Sequence, residues 1–491
     1  MKNDNYKWIA LSCTTIGALF SVLSGSTLII ALPVIMKDIK AGMGIVTWIL
    51  MGYLLAMTIL VPSIGRLADI VGRKKLYVSG FALFTFASFL CAISQTGMQL
   101  LIYRMIQAVG GSLMVANSTA IVADAFPKKE LGKALGINSM IISIAAIIGP
   151  ILGGFLISIG WRSIFYINIP FGIVGTLWAA FQLKESNFSS KKQKFDMKGT
   201  LTFSIGMLAL LMALTLGGFT GWFHVTVIGL MIISIILLWL FVYIEKNVDE
   251  PMLDLKLLKT RVLAFAYASN LLNGIARGAV TFLITFYFQG IKGIDPLKAG
   301  ILLAPFALSM MIVSPISGYL SDKYGARILS SVGLLVSAVG LLGMMFIRAN
   351  TSIIEIEAWL LIMGFGSGMF FSPNTSAIMG MVPADKRGVA AGIRTMANNA
   401  GSVLSIAISM AIISSSISPA AMQALFIGTQ VGSGGIAIGQ FASGLRMAFT
   451  ISFIFSIIAA IISYSRGPEP VWKENVVKNR ILAETEKSKI S

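Results

Sequence analysis

Long apolar stretches alternate with short polar segments along the whole chain, and fourteen of the stretches are long enough to cross a lipid bilayer. Crossing takes about 20 residues in a helix, whereas membrane strands are shorter and alternate between apolar and polar positions. A helix also satisfies its backbone hydrogen bonds within one segment. The predicted spans, numbered 1–14, cover residues 8–35, 45–64, 76–95, 98–122, 133–159, 162–183, 198–217, 223–244, 262–288, 297–317, 328–347, 354–380, 388–414 and 441–465. The pattern predicts an all-α polytopic membrane protein.

The composition supports this class and excludes several others. Of 491 residues, 56% are hydrophobic and only 12% are charged, about half the charged fraction of an average soluble domain. Soluble enzymes and nucleic-acid-binding proteins therefore fit poorly, and we expect no nucleic-acid partner. The chain has one histidine, His224, and two cysteines within apolar runs, Cys13 and Cys91. These numbers argue against a Cys/His metal site or a disulfide framework, so we expect no enzyme and no resident cofactor.

The positive charges predict the orientation. With both termini in the cytoplasm, 28 of the 38 Lys and Arg fall on the cytoplasmic side, six on the outer side and four within spans. Such an asymmetry is the positive-inside signal, and it favours an even number of helices. We therefore expect a multi-pass protein of the cytoplasmic membrane. The uncharged segment 415–440 is expected to form an outer loop.

Two groups of residues recur in the second half of the chain. Pro62, Gly65, Leu67, Asp69 and Gly72 return 253 residues later as Pro315, Gly318, Leu320, Asp322 and Gly325. The second group returns 256 residues later, and pairs Thr119, Pro127, Gly132, Ala134, Gly136 and Ile137 with Thr375, Pro383, Gly388, Ala390, Gly392 and Ile393. The repeat predicts an N-terminal six-helix half over 1–183, an inserted helix pair with its flanking loops over 184–261, a C-terminal six-helix half over 262–465 and a cytoplasmic tail over 466–491.

Duplicated helical halves are the architecture of secondary transporters, in which the substrate site lies between the halves and rocking alternates its access. We expect a small-molecule substrate, a lipid bilayer as the surroundings and a monomer.

Five stretches carry a resemblance to a known family. Residues 65–76 read Gly-Arg-Leu-Ala-Asp-Ile-Val-Gly-Arg-Lys-Lys-Leu and resemble the loop between helices 2 and 3 of the major facilitator superfamily. Residues 101–110 resemble its helix-4 motif, and Gly149, Pro150, Gly153 and Gly154 resemble its antiporter motif. Residues 161–170 and 371–376 are similar to its fourteen-helix drug:proton antiporter family. The resemblance implies a major facilitator fold and a multidrug exporter that uses the proton gradient as its energy source.

The glycines and the acid of the first stretch suit a gate at the cytoplasmic ends of the helices. A carboxylate is favoured beside a helix N-terminus by about 0.3–1 kcal/mol, so Asp69 can hold a neighbouring helix, and breaking that contact would open the inner face. The alternative is a loop that only anchors the topology. The candidate gating residues are Gly65, Asp69, Gly72, Arg73, Gly318 and Asp322.

One position departs from the family. Its helix 1 usually carries an acid where this chain has Ser24, and no Asp or Glu lies in the middle of a span. Four arginines do lie within spans, at residues 104, 277, 394 and 446, and an intramembrane charge costs at least about 2.5 kcal/mol, so it normally faces a cavity or a partner. The resemblance places helices 4, 9 and 13 around the central cavity. The candidate substrate or coupling residues are Ser24, Arg104, Gln107, Asp124, Asn273, Arg277, Asn374 and Arg394.

These residues leave alternatives open. A cavity with arginines and no mid-span carboxylate favours anionic or zwitterionic substrates over lipophilic cations. Helix carbonyls, tyrosine, glutamine or water can also satisfy each arginine without a substrate. A membrane sensor that does not transport is the alternative from another functional class.

Overall fold

The computed structural model of the protein describes residues 4–39, 43–127, 130–185, 196–248, 260–294, 296–348, 350–383, 386–416 and 435–467. Within these ranges the chain is helical and has no strand. We number the helical segments α1–α14 so that they correspond to the predicted spans. They are α1 (Asp4–Asp38), α2 (Met43–Val71), α3 (Arg73–Ala92), α4 (Gly97–Ala125), α5 (Leu131–Ile159), α6 (Ser163–Tyr166 and Asn168–Gln182), α7 (Met197–Thr220), α8 (Val225–Asn247), α9 (Arg261–Arg277, Val280–Phe286 and a π-helical turn, Tyr287–Ile291), α10 (Pro296–Leu302 and Ala304–Tyr324), α11 (Ala326–Met344), α12 (Ile353–Met381), α13 (Arg387–Ser416) and α14 (Gly435–Ser465).

The predicted all-α membrane class is confirmed. Twelve helices of the described chain are long and apolar enough to cross a membrane, and only α5 and α9 fall outside that set. The count of fourteen spans therefore stays a prediction. The last helix begins at Gly435, inside the predicted outer loop. The rest of that loop, residues 417–434, and the tail beyond residue 467 lie outside the described residues.

Side chains just ahead of several helices fix where those helices begin. The Thr96 hydroxyl accepts a hydrogen bond from the Gln99 amide at the start of α4, and Ser352 accepts from Glu355 at the start of α12. Asp196 does the same for Gly199 of α7. Each cap satisfies one of the amides that the first helical turn leaves without a partner.

The helices pack in the same way in both halves. In the first half α1 packs on α5, α2 on α4, and α3 on both α4 and α6. In the second half the equivalent pairs are α9 with α13, α10 with α12, and α11 with both α12 and α14. The halves meet where α2 packs on α13 and α5 packs on α10, while α7 and α8 form a hairpin whose first helix contacts α13 and α2. The arrangement agrees with the repeat, although the domain limits stay a prediction.

A polar cluster joins three segments at one end of the first half. The Trp161 indole donates to Asp38 Oδ2 over 2.7 Å, and the Arg162 guanidinium donates to the same oxygen over 3.1 Å. Arg162 also donates to the Ser94 carbonyl. The indole and then the guanidinium hold the pKa of Asp38 below its ordinary value. This cluster therefore ties α1 to the α3–α4 and α5–α6 connections at neutral pH.

Candidate functional site

The opposite end of the bundle collects most of the repeated residues. The turns α2–α3, α4–α5, α10–α11 and α12–α13 lie there, and Lys7 near the start of α1 binds Glu130 across 2.9 Å. The end of α14 lies there too, since Arg327 Nε donates to the Tyr464 carbonyl over 2.7 Å. We call this the basic end. The sequence placed the same positions together on one side of the membrane.

Glycines of one half contact glycines of the other half at the basic end. A Cβ on Gly65 of α2 would clash with the Gly388 carbonyl of α13, and a Cβ on Gly388 would lie 2.5 Å from the Gly65 carbonyl. The same relation holds between Gly318 of α10 and Gly132 of α5, where a Cβ on Gly132 would lie 2.5 Å from the Gly318 carbonyl. No side chain fits in either contact, so the backbones touch directly.

The proline of each repeat lies one turn deeper in the same contact. A Cβ on Gly392 would lie 2.8 Å from Pro62 Cα, and a Cβ on Gly136 would lie 2.6 Å from Pro315 Cα. The first repeated group of each half therefore packs on the second repeated group of the other half. We call these two equivalent contacts the crosswise contacts.

A carboxylate completes each crosswise contact. Asp69 accepts hydrogen bonds from the Gly388 and Val389 amides, each over 3.2 Å, at the first turn of α13. Asp322 accepts from the Gly132 and Lys133 amides, over 2.9 and 3.1 Å, at the first turn of α5. Both acids occupy the helix N-termini, where a negative charge is favoured.

The contact at Asp69 is reinforced by charges that the contact at Asp322 does not share. Arg73 donates through Nε and Nη2 to Asp69 Oδ1, and its Nη1 makes a short contact with Asp124. Asp124 also accepts from Arg387 Nη1 over 3.1 Å. The repeat explains the asymmetry, since Ala326 stands at the offset of Arg73 and Gly380 at that of Asp124.

Gly72 has its own role in the turn that follows Asp69. Its φ of 114° is unfavourable for residues with a side chain. The Glu185 carboxylate lies against it and accepts from the Lys74 and Lys75 amides over 3.1 and 3.3 Å, at the first turn of α3. Gly72 thus lets a third carboxylate reach a helix N-terminus at the basic end.

Arg104 lies in a separate polar cluster inside the first half. Its side chain is 0% exposed, and Nη1 donates to Ser24 Oγ over 3.1 Å and to Gln107 Oε1 over 2.5 Å. Gln107 in turn donates to Ser88 Oγ over 2.7 Å. The guanidinium carbon lies 4.3 Å from the centroid of the Tyr53 ring. In the described residues Nε and Nη2 have no hydrogen-bond partner.

The other predicted polar residues lie in the second half. Arg277 of α9 has its guanidinium carbon 5.6 Å from the Phe371 ring centroid, and Arg394 of α13 donates to Thr395 Oγ1 over 3.3 Å. The Nε atoms of both arginines and the Asn273 amide nitrogen find no partner among the described residues. Arg277 stands at the repeat offset of Ser24, but the arginine that contacts Ser24 is Arg104.

Two predicted substrate or coupling residues make contacts of another kind. Asn374 donates to the Ala266 carbonyl over 3.2 Å and accepts from Arg466 over 3.1 Å, so its amide joins α12, α9 and the end of α14. Asp124 belongs to the charge network of Arg73 and Arg387. Their roles in transport stay predictions.

The antiporter-type motif of α5 lies against the first and tenth segments. A Cβ on Gly149 would clash with Ser26 Oγ, and a Cβ on Gly153 would lie 3.1 Å from Thr27 Cα. A Cβ on Gly154 would lie 2.7 Å from Leu297. These glycines let α5 approach both neighbours closely. The side chain of Pro150 lies outside the described residues.

Some members of these networks carry no sequence signal. Arg387 and Glu185 lack a repeated counterpart, and Tyr53 and Ser88 are ordinary polar residues in apolar spans. Their roles follow only from distances between helices far apart in sequence. The described residues contain no group of three or more His, Cys, Asp or Glu placed to hold a metal ion.

The sequence profile described as Major Facilitator Superfamily matches residues 14–406 and, in a second match, residues 266–483. The chain belongs to the Major Facilitator Superfamily. Its relatives include the riboflavin transporter RibZ of Clostridioides difficile (strain 630), which is 35% identical over 78% of this chain and 83% of the relative. The multidrug transporter protein MdtP of Bacillus subtilis (strain 168) is 33% identical over 76% of this chain and 69% of the relative. The resemblance to the drug exporters of the superfamily is thereby confirmed.

A solved structure shares the fold of this protein. The human organic anion transporter MFSD10 (TETRAN) superposes with a TM-score of 0.63, over 92% of this chain and 99% of that chain. The two sequences are 15% identical, so the likeness concerns the fold alone.

Proposed function

We propose that the protein exports small organic molecules across the cytoplasmic membrane by alternating access, driven by the proton gradient. The crosswise contacts carry this proposal. They join the two halves at one end through backbone contacts and four hydrogen bonds from helix N-termini to carboxylates. The two halves can separate and rejoin at these contacts without unfolding a helix. Two equivalent contacts at one end suit a gate between rocking halves.

The relatives support the nature of the cargo. RibZ is named a riboflavin transporter, MdtP a multidrug transporter, and a further relative from Streptomyces glaucescens a tetracenomycin C resistance and export protein. Riboflavin and tetracenomycin are both small organic molecules. We extend this class of cargo, and the outward direction, to this chain.

The orientation is part of the proposal and has a direct test. We expect the basic end to face the cytoplasm because it carries most of the positive charge. Single cysteines at positions 190 and 480 should react with a membrane-impermeant maleimide only from inside, and one at position 430 only from outside. The native cysteines, Cys13 and Cys91, are buried and give little background. Reaction of position 430 from the cytoplasmic side would contradict the fourteen-span topology.

Proton coupling requires a group that binds the proton. In the described residues no carboxylate contacts Arg104, whereas Asp69, Asp124 and Asp322 all lie at the basic end. We propose that a proton carried by the protein binds among these acids. Asp124 is one candidate, and its contacts with Arg73 and Arg387 favour the ionised carboxylate, so a proton bound there would have to weaken both contacts. A substrate that carries its own proton is the alternative.

Flux in proteoliposomes tests the proposed function. The purified full chain should move a dye of suitable charge, and an imposed pH gradient should raise the rate. Carboxylate, neutral and quaternary ammonium dyes should be compared, and the cation is expected to be the poorest substrate because Arg104 is a buried positive charge. The absence of flux for all dyes would favour a sensor. Efficient pH-driven export of the quaternary ammonium dye would restore the default cation specificity of multidrug exporters.

A further inference from the structure

The guanidinium of Arg104 has one occupied and one unoccupied side. Nη1 carries both hydrogen bonds, to Ser24 and to Gln107. Nε and Nη2 are buried without a partner in the described chain. These two nitrogens point their N–H groups in the same direction and form the edge that a carboxylate contacts with two oxygens or one shared oxygen.

A second arginine of the same chain shows what this edge takes. Arg73 donates from Nε over 3.1 Å and from Nη2 over 2.7 Å to Asp69, and its Nη1 turns to another acid. Both arginines are almost fully buried. Arg73 thus has a carboxylate on the edge that Arg104 leaves empty.

The surroundings of Arg104 hold that edge in place. Gln107 is fixed by its bond to Ser88, so its amide oxygen is directed at Nη1. The ring of Tyr53 lies 4.3 Å from the guanidinium carbon, which suits a cation–π contact. The Gln107 amide and the Tyr53 ring are uncharged and do not neutralise the guanidinium. A buried charge without a counter-ion is costly. The cluster is therefore preorganised for an anion and electrostatically incomplete without one.

Open space lies beside α1 one residue from this cluster, whereas the Nε–Nη2 edge itself is buried. Ser24 of α1 contacts Arg104, and the next residue, Gly25, would meet no atom within 4 Å if it carried a Cβ. Because neighbouring residues of a helix point in different directions, a carboxylate arriving at Gly25 reaches the guanidinium only when α1 and α4 shift relative to each other.

We propose that the Nε–Nη2 edge of Arg104 binds a carboxylate of the transported molecule, so that the substrate supplies the missing counter-ion. That the bound molecule is transported rests on the proposed function, whereas the anion site itself rests on the geometry of Arg104 alone. Substrates would be anionic or zwitterionic organic molecules. Ser24, Gln107, Ser88 and Tyr53 would position the guanidinium.

Ligand binding to the purified full chain tests the site without relying on flux. Sodium benzoate is the probe, benzamide is its neutral isostere, and the readout is the rise in Tm with probe concentration at constant ionic strength. Binding to the folded state raises stability as the probe exceeds its Kd. We expect a saturable shift with benzoate and none with benzamide. Equal shifts with the two compounds, or none with either, would overturn the proposal.

Three variants locate the binding. Arg104→Lys keeps the charge but replaces the two-donor edge with a single ammonium group, and should weaken benzoate binding at least about tenfold, as expected for losing one hydrogen bond to a charged group. Ser24→Asp supplies a counter-ion within the protein, so the variant should fold and should weaken benzoate binding to a similar degree. Arg446→Lys is the matched control, since Arg446 is an exposed arginine of another span, and it should bind benzoate normally. Unchanged binding in Ser24→Asp would contradict the proposal even if Arg104→Lys fails to fold.

The binding and flux results separate the two proposals. Benzoate binding that depends on Arg104, with no flux of any dye, would support the anion site and remove the transport function. Flux of neutral dyes without benzoate binding would keep the transport function and remove the anion site.

Discussion

Replacing Gly65 with alanine is expected to reduce transport strongly while the protein still folds and inserts. The added Cβ would clash with the Gly388 carbonyl, which is backbone and cannot rotate away. Overpacking of this kind costs about 1–3 kcal/mol, and only the state with the basic end closed incurs it. At about 1.4 kcal/mol per tenfold, the closed population falls roughly 5- to 150-fold relative to the open one. Flux should fall with it, because each cycle passes through the closed state.

Two further glycine variants serve as comparisons for Gly65→Ala, one in the second crosswise contact and one outside both contacts. Gly318→Ala should act like Gly65→Ala, because its Cβ would clash with the Gly132 carbonyl. Gly380→Ala is the matched control, since Gly380 lies near the basic end of α12 and a Cβ there would meet no atom within 4 Å. It should transport at the normal rate. Normal flux in both Gly65→Ala and Gly318→Ala would show that closure of these contacts is not required.

Asp69→Asn should reduce transport to about the same degree as Asp322→Asn, and should also lower the stability of the protein. Asp69 and its partner Arg73 each have side chains only 1% exposed, and removing one partner of a buried ion pair costs about 3–5 kcal/mol. Both residues belong to the first half, so this cost falls equally on the open and the closed state. Asp322 accepts from the amides of Gly132 and Lys133, and losing one hydrogen bond to a charged group costs about 1.5–3 kcal/mol. Asp69 likewise accepts from the Gly388 and Val389 amides. These bonds join the two halves, so their loss falls on the closed state, which should lose roughly tenfold to a hundredfold of its population in each variant.

Initial rates of dye flux in proteoliposomes measure the loss of transport, and the Tm of the purified variants measures the loss of stability. Asp38→Asn is the control, because it makes the same change in the polar cluster at the opposite end, where Asp38 contacts Trp161 and Arg162. It should leave flux near normal. A Tm for Asp69→Asn no lower than that for Asp322→Asn would contradict the buried pairing of Asp69 with Arg73, and normal rates in both variants would leave only the topology role of the loop.

The helices were predictable because a bilayer imposes one length on every span. Predicted span 4 covers 98–122 and α4 runs from Gly97 to Ala125. The structure extends helices into polar residues at their ends, where water and caps replace lipid and hydropathy gives no signal. The start of α14 at Gly435 illustrates this, since glycines and a glutamine interrupt the apolar residues of 435–440 ahead of predicted span 14.

The crosswise contacts were predictable in part because the residues that form them are duplicated. The repeat identified Gly65, Asp69, Gly318 and Asp322 together with the partner glycines, but not that each group would contact the second group of the other half. That pairing joins residues about 190 to 320 positions apart, and depends on how the halves face each other. Arg387 was missed as a partner of Asp124 for the same reason.

The polar cluster around Arg104 shows a different limit of sequence-based prediction. The departure at Ser24 and the charge of Arg104 were both visible in the sequence, and the structure brings them within 3.1 Å. Which guanidinium nitrogens stay unpartnered depends on side-chain orientation, which no pattern in one sequence encodes. Asn374 shows the reverse, since a polar residue in a span can be fully engaged by a carbonyl and an arginine.

Distance measurements across the basic end test most directly whether the crosswise contacts form a gate. Lys75 of α3 and Tyr324 of α10 are exposed, lie at this end and belong to different halves, so spin labels on cysteines at these positions report the separation of the halves. The full chain in lipid should show a short and a longer distance, and Asp69→Asn should shift the population towards the longer one. A single distance that is the same in the wild type, Asp69→Asn and Gly65→Ala would contradict the gate.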